Sequence, residues 1–95
     1  MTEFRLSPYV DADLDDIAEY IMRDNPIRAL SFVDEITEKF RVIGERPQSF
    51  PLVEGCTWPL RSALHGRYRI LFEIVEEIPH ILRVIHGARD IDSLF

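Results

Sequence analysis

A single cysteine, Cys56, stands in 95 residues. An internal disulfide is therefore excluded, and a reducing compartment, the cytoplasm, is the expected setting. No histidine lies close to Cys56 in sequence, so an inert loop thiol is favoured over a nucleophile. Three scattered histidines and one cysteine show no ligand spacing, so neither a metal nor a cofactor is expected. No apolar run reaches the length of a bilayer span, and the first residues lack the basic and apolar regions of a secretion signal. No repeat, low-complexity segment or linker breaks the chain, and its length suits one domain over residues 1–95. Lysine is missing between Leu60 and Asp90, where the cations are five arginines.

Positive charge is scarce overall. The net charge is −6, with −5 of it in residues 1–50 and −1 in residues 51–95. That sign argues against non-specific binding to DNA or RNA. Screening confines exposed charges to about 8 Å at physiological salt, so the arginines still act locally.

What is present alternates between two periods. Phe4 to Leu6 reads as a short strand. Ser7-Pro8 is a helix start: serine accepts from an orphan N–H, and proline at the first helical position loses nothing. Leu14, Ile17, Ala18 and Ile21 give one apolar face to a helix over 8–22. The acids from Asp11 to Glu19 read as its solvated face, or less simply as a docking site for a basic partner. Asp24-Asn25-Pro26 ends this helix and caps the next, over 26–45, whose stripe is Ala29, Phe32, Val33, Ile36, Phe40 and Ile43. So short a connection between amphipathic helices predicts an antiparallel hairpin.

Residues 46–59 hold three prolines and Gly55 and read as a loop with a short ordered piece near Phe50 to Val53. Trp58 is expected to anchor that loop over the core. Strands follow over 60–64, 67–75 and 80–86, with turns at His65-Gly66 and Glu76–Pro79. Alternation puts Tyr68, Ile70, Phe72 and Ile74 on one side, which makes Tyr68 a core residue. His65 is expected to be exposed in its turn. The tail from Gly87 ends in Leu94-Phe95, either packed back or left as an apolar anchor. The predicted class is α+β: a first strand and a helical hairpin packed on one face of an antiparallel sheet, in the order β-α-α-β-β-β.

The helices then cover one sheet face and leave the other free. That free face is expected to carry Arg61, Arg69 and Arg83 with Leu71, Val75, Ile81 and Ile85, a mixture suited to recognition. Arg61, Arg67, Arg69, Arg83 and Arg89 read as a recognition cluster, because arginine without lysine favours fixed bidentate contacts. The alternative is solvated arginines paired with Glu73, Glu76 or Asp90. His86, at the end of the last strand, is either a structural histidine or a proton carrier.

Four pieces in order, FRLSPYVDADLDDIAEYI, NPIRALSFVDEI, GRYRILFEIVEE and ILRVIHGARD, resemble the ParE branch of the ParE/RelE toxins. The resemblance covers most of the chain. It implies a RelE/ParE-like fold and a small cytoplasmic toxin neutralised by a ParD-like antitoxin. For the ParE branch it also implies DNA gyrase as the target, met by the sheet arginines and the C-terminal segment. An antitoxin would cover Arg69, Leu71, Val75, Ile81, Arg83 and Ile85. The RelE branch cuts messenger RNA in the ribosome with sheet cations and an acid–base residue, often a tyrosine near the C-terminus. Here that set would be Arg61, Arg83 and His86, and the last strand and tail contain no tyrosine or lysine. A third reading is an inactive relative that acts only in a regulatory complex.

Overall fold

A computed structural model describes residues 3–94. Strand β1 (Arg5–Leu6) leads into helix α1 (Pro8–Met22) and helix α2 (Pro26–Glu45). A 3-10 turn at Pro47–Ser49 and an irregular stretch precede β2 (Arg61–His65), β3 (Tyr68–Val75) and β4 (Ile78–His86). The tail closes on a second 3-10 turn, Ile91–Leu94.

Both helices begin as their sequences dictate. The Ser7 hydroxyl accepts from the Tyr9 N–H at 3.3 Å and donates to the Leu82 carbonyl at 2.6 Å, so one cap also ties α1 to the last strand. Asn25 accepts from the Arg28 N–H at 3.0 Å, and Pro26 opens α2. Ala29, Phe32, Ile36, Phe40 and Ile43 of α2 are buried, the stripe expected from a period of 3.6.

The sheet order is β1-β4-β3-β2. β2, β3 and β4 form an antiparallel meander, while β1 runs parallel to β4 through Arg5↔His80 and Leu6↔Ile81, so the sheet is mixed. The β3–β4 turn is tighter than its sequence suggested. Glu76 and Glu77 make it alone, at φ 51° and 69°, the doubly positive geometry that matches strand twist in a two-residue hairpin. Pro79 consequently lies within β4, opposite Ile74. Ile81 turns its carbonyl toward Ser7 N–H, and alternation turns the Pro79 nitrogen the same way, where β1 has not yet begun and no donor is needed.

The helical face of the sheet closes the main core. Val10 and Ile17 from α1 and the α2 stripe pack on Ala63, Ile70, Phe72, Ile81 and Val84. The other face, expected to be free, is covered. Leu60, Leu71 and Ile85 are 0–2% exposed there. With Leu82 of the same face, they pack against Val53, Cys56, Trp58, Ile91 and Leu94. Trp58 anchors the loop as its flanking sequence predicted, and Leu94 packs back. Phe95 lies outside the described residues.

Cross-strand pairing and one bulge explain the rest of the mismatch. The β2–β3 turn sits at Gly66-Arg67 rather than His65-Gly66, so His65 pairs with Tyr68 and Arg61 with Phe72. Paired residues share a face, so Arg61 lies with Phe72 on the helical side. Moving a two-residue turn by one position shifts the pairing by two and flips no face, so Arg61 and Arg69 fall on opposite faces with either turn. A bulge between Leu71 and Phe72 then leaves Leu82 as the extra residue of β4. Ile81 and Val84 therefore both point at the helices, while Leu82 and Ile85 face away.

Candidate functional site

The five arginines do not form one cluster. The Arg61 guanidinium donates to the Phe50 carbonyl at 2.6 Å and fastens the loop that follows the 3-10 turn. Arg83 donates through Nε and Nη2 to both Asp13 oxygens, each at 2.8 Å, and lies 5.5 Å over the Tyr9 ring. The Asp13 hydrogen bonds push the Arg83 pKa above its ordinary value against the opposing effect of burial, and the nearby Asp13 and Tyr9 charges add to it. Asp13 also accepts from the Val84 N–H at 3.0 Å. It thus stands in for a strand partner where β1 has already ended. Arg67 is exposed on the β2–β3 turn.

Arg69 and Arg89 are the pair the fold does bring together. Both line a cavity of about 510 Å³ on the face away from the helices. Its floor is Ser62 and Arg69, its walls are residues 51–56 on one side and 89–92 on the other. Arg69 donates to the Ser62 hydroxyl at 3.2 Å. Glu54, Asp90 and Asp92 also border the cavity, and Cys56 reaches it. Such a lining offers directed donors and acceptors to a polar partner. It contains no histidine and no tyrosine, so no imidazole or phenol stands beside the guanidiniums to carry a proton.

The possible nuclease set is dispersed. Arg61 is on β2 and Arg83 on β4, with β3 between them, and both guanidiniums are engaged in bonds that hold the fold. His86 is exposed, its ring edge-on to Tyr68 at 5.6 Å, and its Nδ1 accepts from the Ala88 N–H at 3.1 Å. Tyr68 packs on Phe32 at 5.1 Å, in line with a core role.

Of the apolar residues expected on the free face, Leu71 and Ile85 are beneath the loop and tail and Ile81 is in the main core. Val75 is 41% exposed. His65 is not free in its turn. Its Nε2 sits 2.8 Å from a Glu35 oxygen, and its ring meets Phe32. Asp13 was missed by the sequence reading. The signal was there: it falls three residues after Val10 and four before Ile17, on the buried stripe. Among the described residues no group of three His, Cys, Asp or Glu side chains is placed to hold a metal. No helix among the described residues is long and apolar enough to cross a membrane.

Residues 4–91 match the model of the ParE toxin of the type II toxin–antitoxin system parDE. The chain belongs to the ParE toxin family. Among solved structures it is similar to a chain of the chromosomal ParDE TA system from P. aeruginosa, with TM-score 0.75 and 20% identity over 90% of this chain and 96% of that one. It is also similar to a chain of the toxin–antitoxin complex RelBE2 from Mycobacterium tuberculosis, with TM-score 0.62 and 26% identity over the same shares. No curated protein sequence matches it. Family membership makes this ParE-type domain the toxin of a type II toxin–antitoxin pair, and its α+β layout is the one those neighbours share.

Proposed function

We propose that this toxin acts in the cytoplasm by binding and poisoning DNA gyrase and is restrained by a ParD-like antitoxin. The observation that carries the reading is the ParE match over residues 4–91. The arrangement of the arginines supports binding over catalysis. Arg61 and Arg83 are held in structural bonds, whereas Arg69 and Arg89 border an open cavity and Arg67 is exposed near them on the turn. Those three are the target contacts. On the antitoxin side, Arg69 and Val75 remain accessible, Arg83 keeps only a partly exposed rim under Tyr9, and Leu71, Ile81 and Ile85 serve as the packing beneath. A supercoiling assay tests the reading. Purified toxin is expected to inhibit gyrase, and Arg69→Ala with Arg89→Ala to weaken inhibition about ten-fold or more. Full supercoiling at saturating toxin rejects it.

The likeness to a RelBE2 chain supports a second reading, cleavage of ribosome-bound messenger by Arg61, Arg83 and His86. It requires His86→Ala to cost several orders of magnitude in cleavage. Expression of the chain alone separates both from an inactive regulatory relative, which leaves growth unchanged.

A further inference from the structure

Helix α1 carries a stripe that neither core accounts for. Tyr9, Asp13, Asp16 and Tyr20 recur at i, i+4, i+7 and i+11 and so share one face. The first half of that stripe is occupied. Arg83 bonds Asp13 and lies over Tyr9, so the molecule itself displays what a tyrosine and an aspartate four residues apart hold on this helix. The second half holds the same two groups at the same spacing in the opposite order, Asp16 and then Tyr20. Tyr20 is 65% exposed and Asp16 is exposed. Neither makes a hydrogen bond or ion pair with the described residues.

Both border a groove of about 280 Å³ between α1 and the end of β4, with Tyr68, Val84 and His86 on the sheet side. The groove is open because β1 pairs with β4 only as far as Ile81. Strand addition is blocked at Val84, whose N–H already goes to Asp13. A visitor therefore enters by a side chain. α1 holds five carboxylates and no base, which favours the approach of a cation. The aromatic and aliphatic walls suit the stem of a long basic side chain.

We propose that this groove receives an arginine side chain of the antitoxin, held between the Asp16 carboxylate and the Tyr20 ring as Arg83 is held between Asp13 and Tyr9. The identity of the occupant rests on the toxin–antitoxin reading; the chemistry of the groove does not. Arg89, on the rim, is the competing occupant from within the chain.

NMR titration of the full chain with N-acetyl-L-arginine amide tests the groove, with N-acetyl-L-citrulline amide as its uncharged twin. The arginine probe is expected to shift the signals of Asp16, Tyr20, Tyr68 and His86 with a Kd of about 1–50 mM, as befits one ion pair and one ring contact. Citrulline is expected to bind at least about five-fold more weakly. Asp16→Lys is expected to abolish the shifts, and Arg89→Ala to leave or strengthen them. Equal response to both probes, shifts that survive Asp16→Lys, or loss of binding in Arg89→Ala overturns the proposal.

In the toxin–antitoxin pair, Asp16→Lys is expected to raise Kd about ten-fold or more without changing the thermal midpoint of the toxin alone. Unchanged affinity removes the antitoxin from the groove and leaves the toxin reading intact. If no antitoxin binds the wild-type chain, that reading fails and takes the occupant with it, while the arginine titration still decides the chemistry.

Discussion

The two faces of this sheet are sealed by different means. One is closed by α1 and α2, whose apolar stripes repeat every three or four residues and, with the sheet residues they meet, form a single cluster of eleven buried side chains. The other is closed by an irregular loop and a 3-10 tail over three buried residues, Leu60, Leu71 and Ile85. A regular helix fixes many contacts through one repeating geometry. A loop fixes each contact separately, through an anchor such as Trp58 or a bond such as that of Arg61 to the Phe50 carbonyl. The second cover is thus the thinner of the two and the easier to open.

Four substitutions or truncations sharpen that contrast. Phe72→Ala, at the centre of the helical face and 0% exposed, is expected to cost about 3–5 kcal/mol. Leu71→Ala beneath the loop is expected to cost less, near the lower end of about 2–5 kcal/mol, because irregular cover collapses into the gap. Equal losses in urea denaturation would show the two covers to be equally rigid. Comparable in size is Asp13→Ala. It leaves Arg83 without its partner and the buried Val84 N–H without an acceptor. A loss of about 2–4 kcal/mol is expected, and a loss below about half a kcal/mol rejects the strand-partner role of Asp13.

Truncation after Asp90 removes Ile91 and Leu94 from the outer cluster and is expected to cost about 1–3 kcal/mol. Amide exchange at Leu71 and Ile85 is expected to accelerate while that at Ile36 and Phe40 scarcely changes. Uniform acceleration over both faces contradicts the idea of two covers of unequal strength.

The smallest effect concerns the ties of α2. Hydrogen bonds from Arg28 and then from His65 hold the Glu35 carboxyl below the usual carboxylate range. A carboxyl with a depressed folded pKa stabilises the fold above its unfolded pKa of about 4.3, and that contribution is lost as the pH falls through the folded value. Glu35→Gln is expected to lower the thermal midpoint slightly at pH 7. The difference is expected to vanish once the pH is below the folded pKa of Glu35. A midpoint difference that stays constant with pH rejects the linkage.

The helices, their caps and the meander were legible because their signals are local. Ser7-Pro8 and Asn25-Pro26 specify starts by their own hydrogen-bonding capacity, and the stripes expected from Leu14 to Ile43 follow from the pitch of a helix, although α1 buries Val10 and Asp13 beside Ile17. The candidate site was less legible. Alternation put Arg61, Arg69, Arg83, Ile81 and Ile85 on one surface, and it failed at two points. Pairing across the β2–β3 hairpin sets Arg61 opposite Phe72, on the face away from Arg69, and a bulge adds Leu82 to β4. The bulge changes the phase of every residue beyond it, whereas the hairpin pairing fixes which residues of β2 and β3 share a face. Neither leaves a mark in a single strand, because both arise from how two strands fit together.

By itself, then, the sequence determined the elements, their order, the helical side of the core and the resemblance to ParE toxins. Only the tertiary structure decided that the far sheet face is covered, that Arg61 and Arg83 serve the fold, and that Arg69 and Arg89 share a cavity. The reason is range. Periodicity and capping act within a few residues, whereas Arg83 meets Asp13 across seventy positions, and a separation that long is settled by strand register and packing alone.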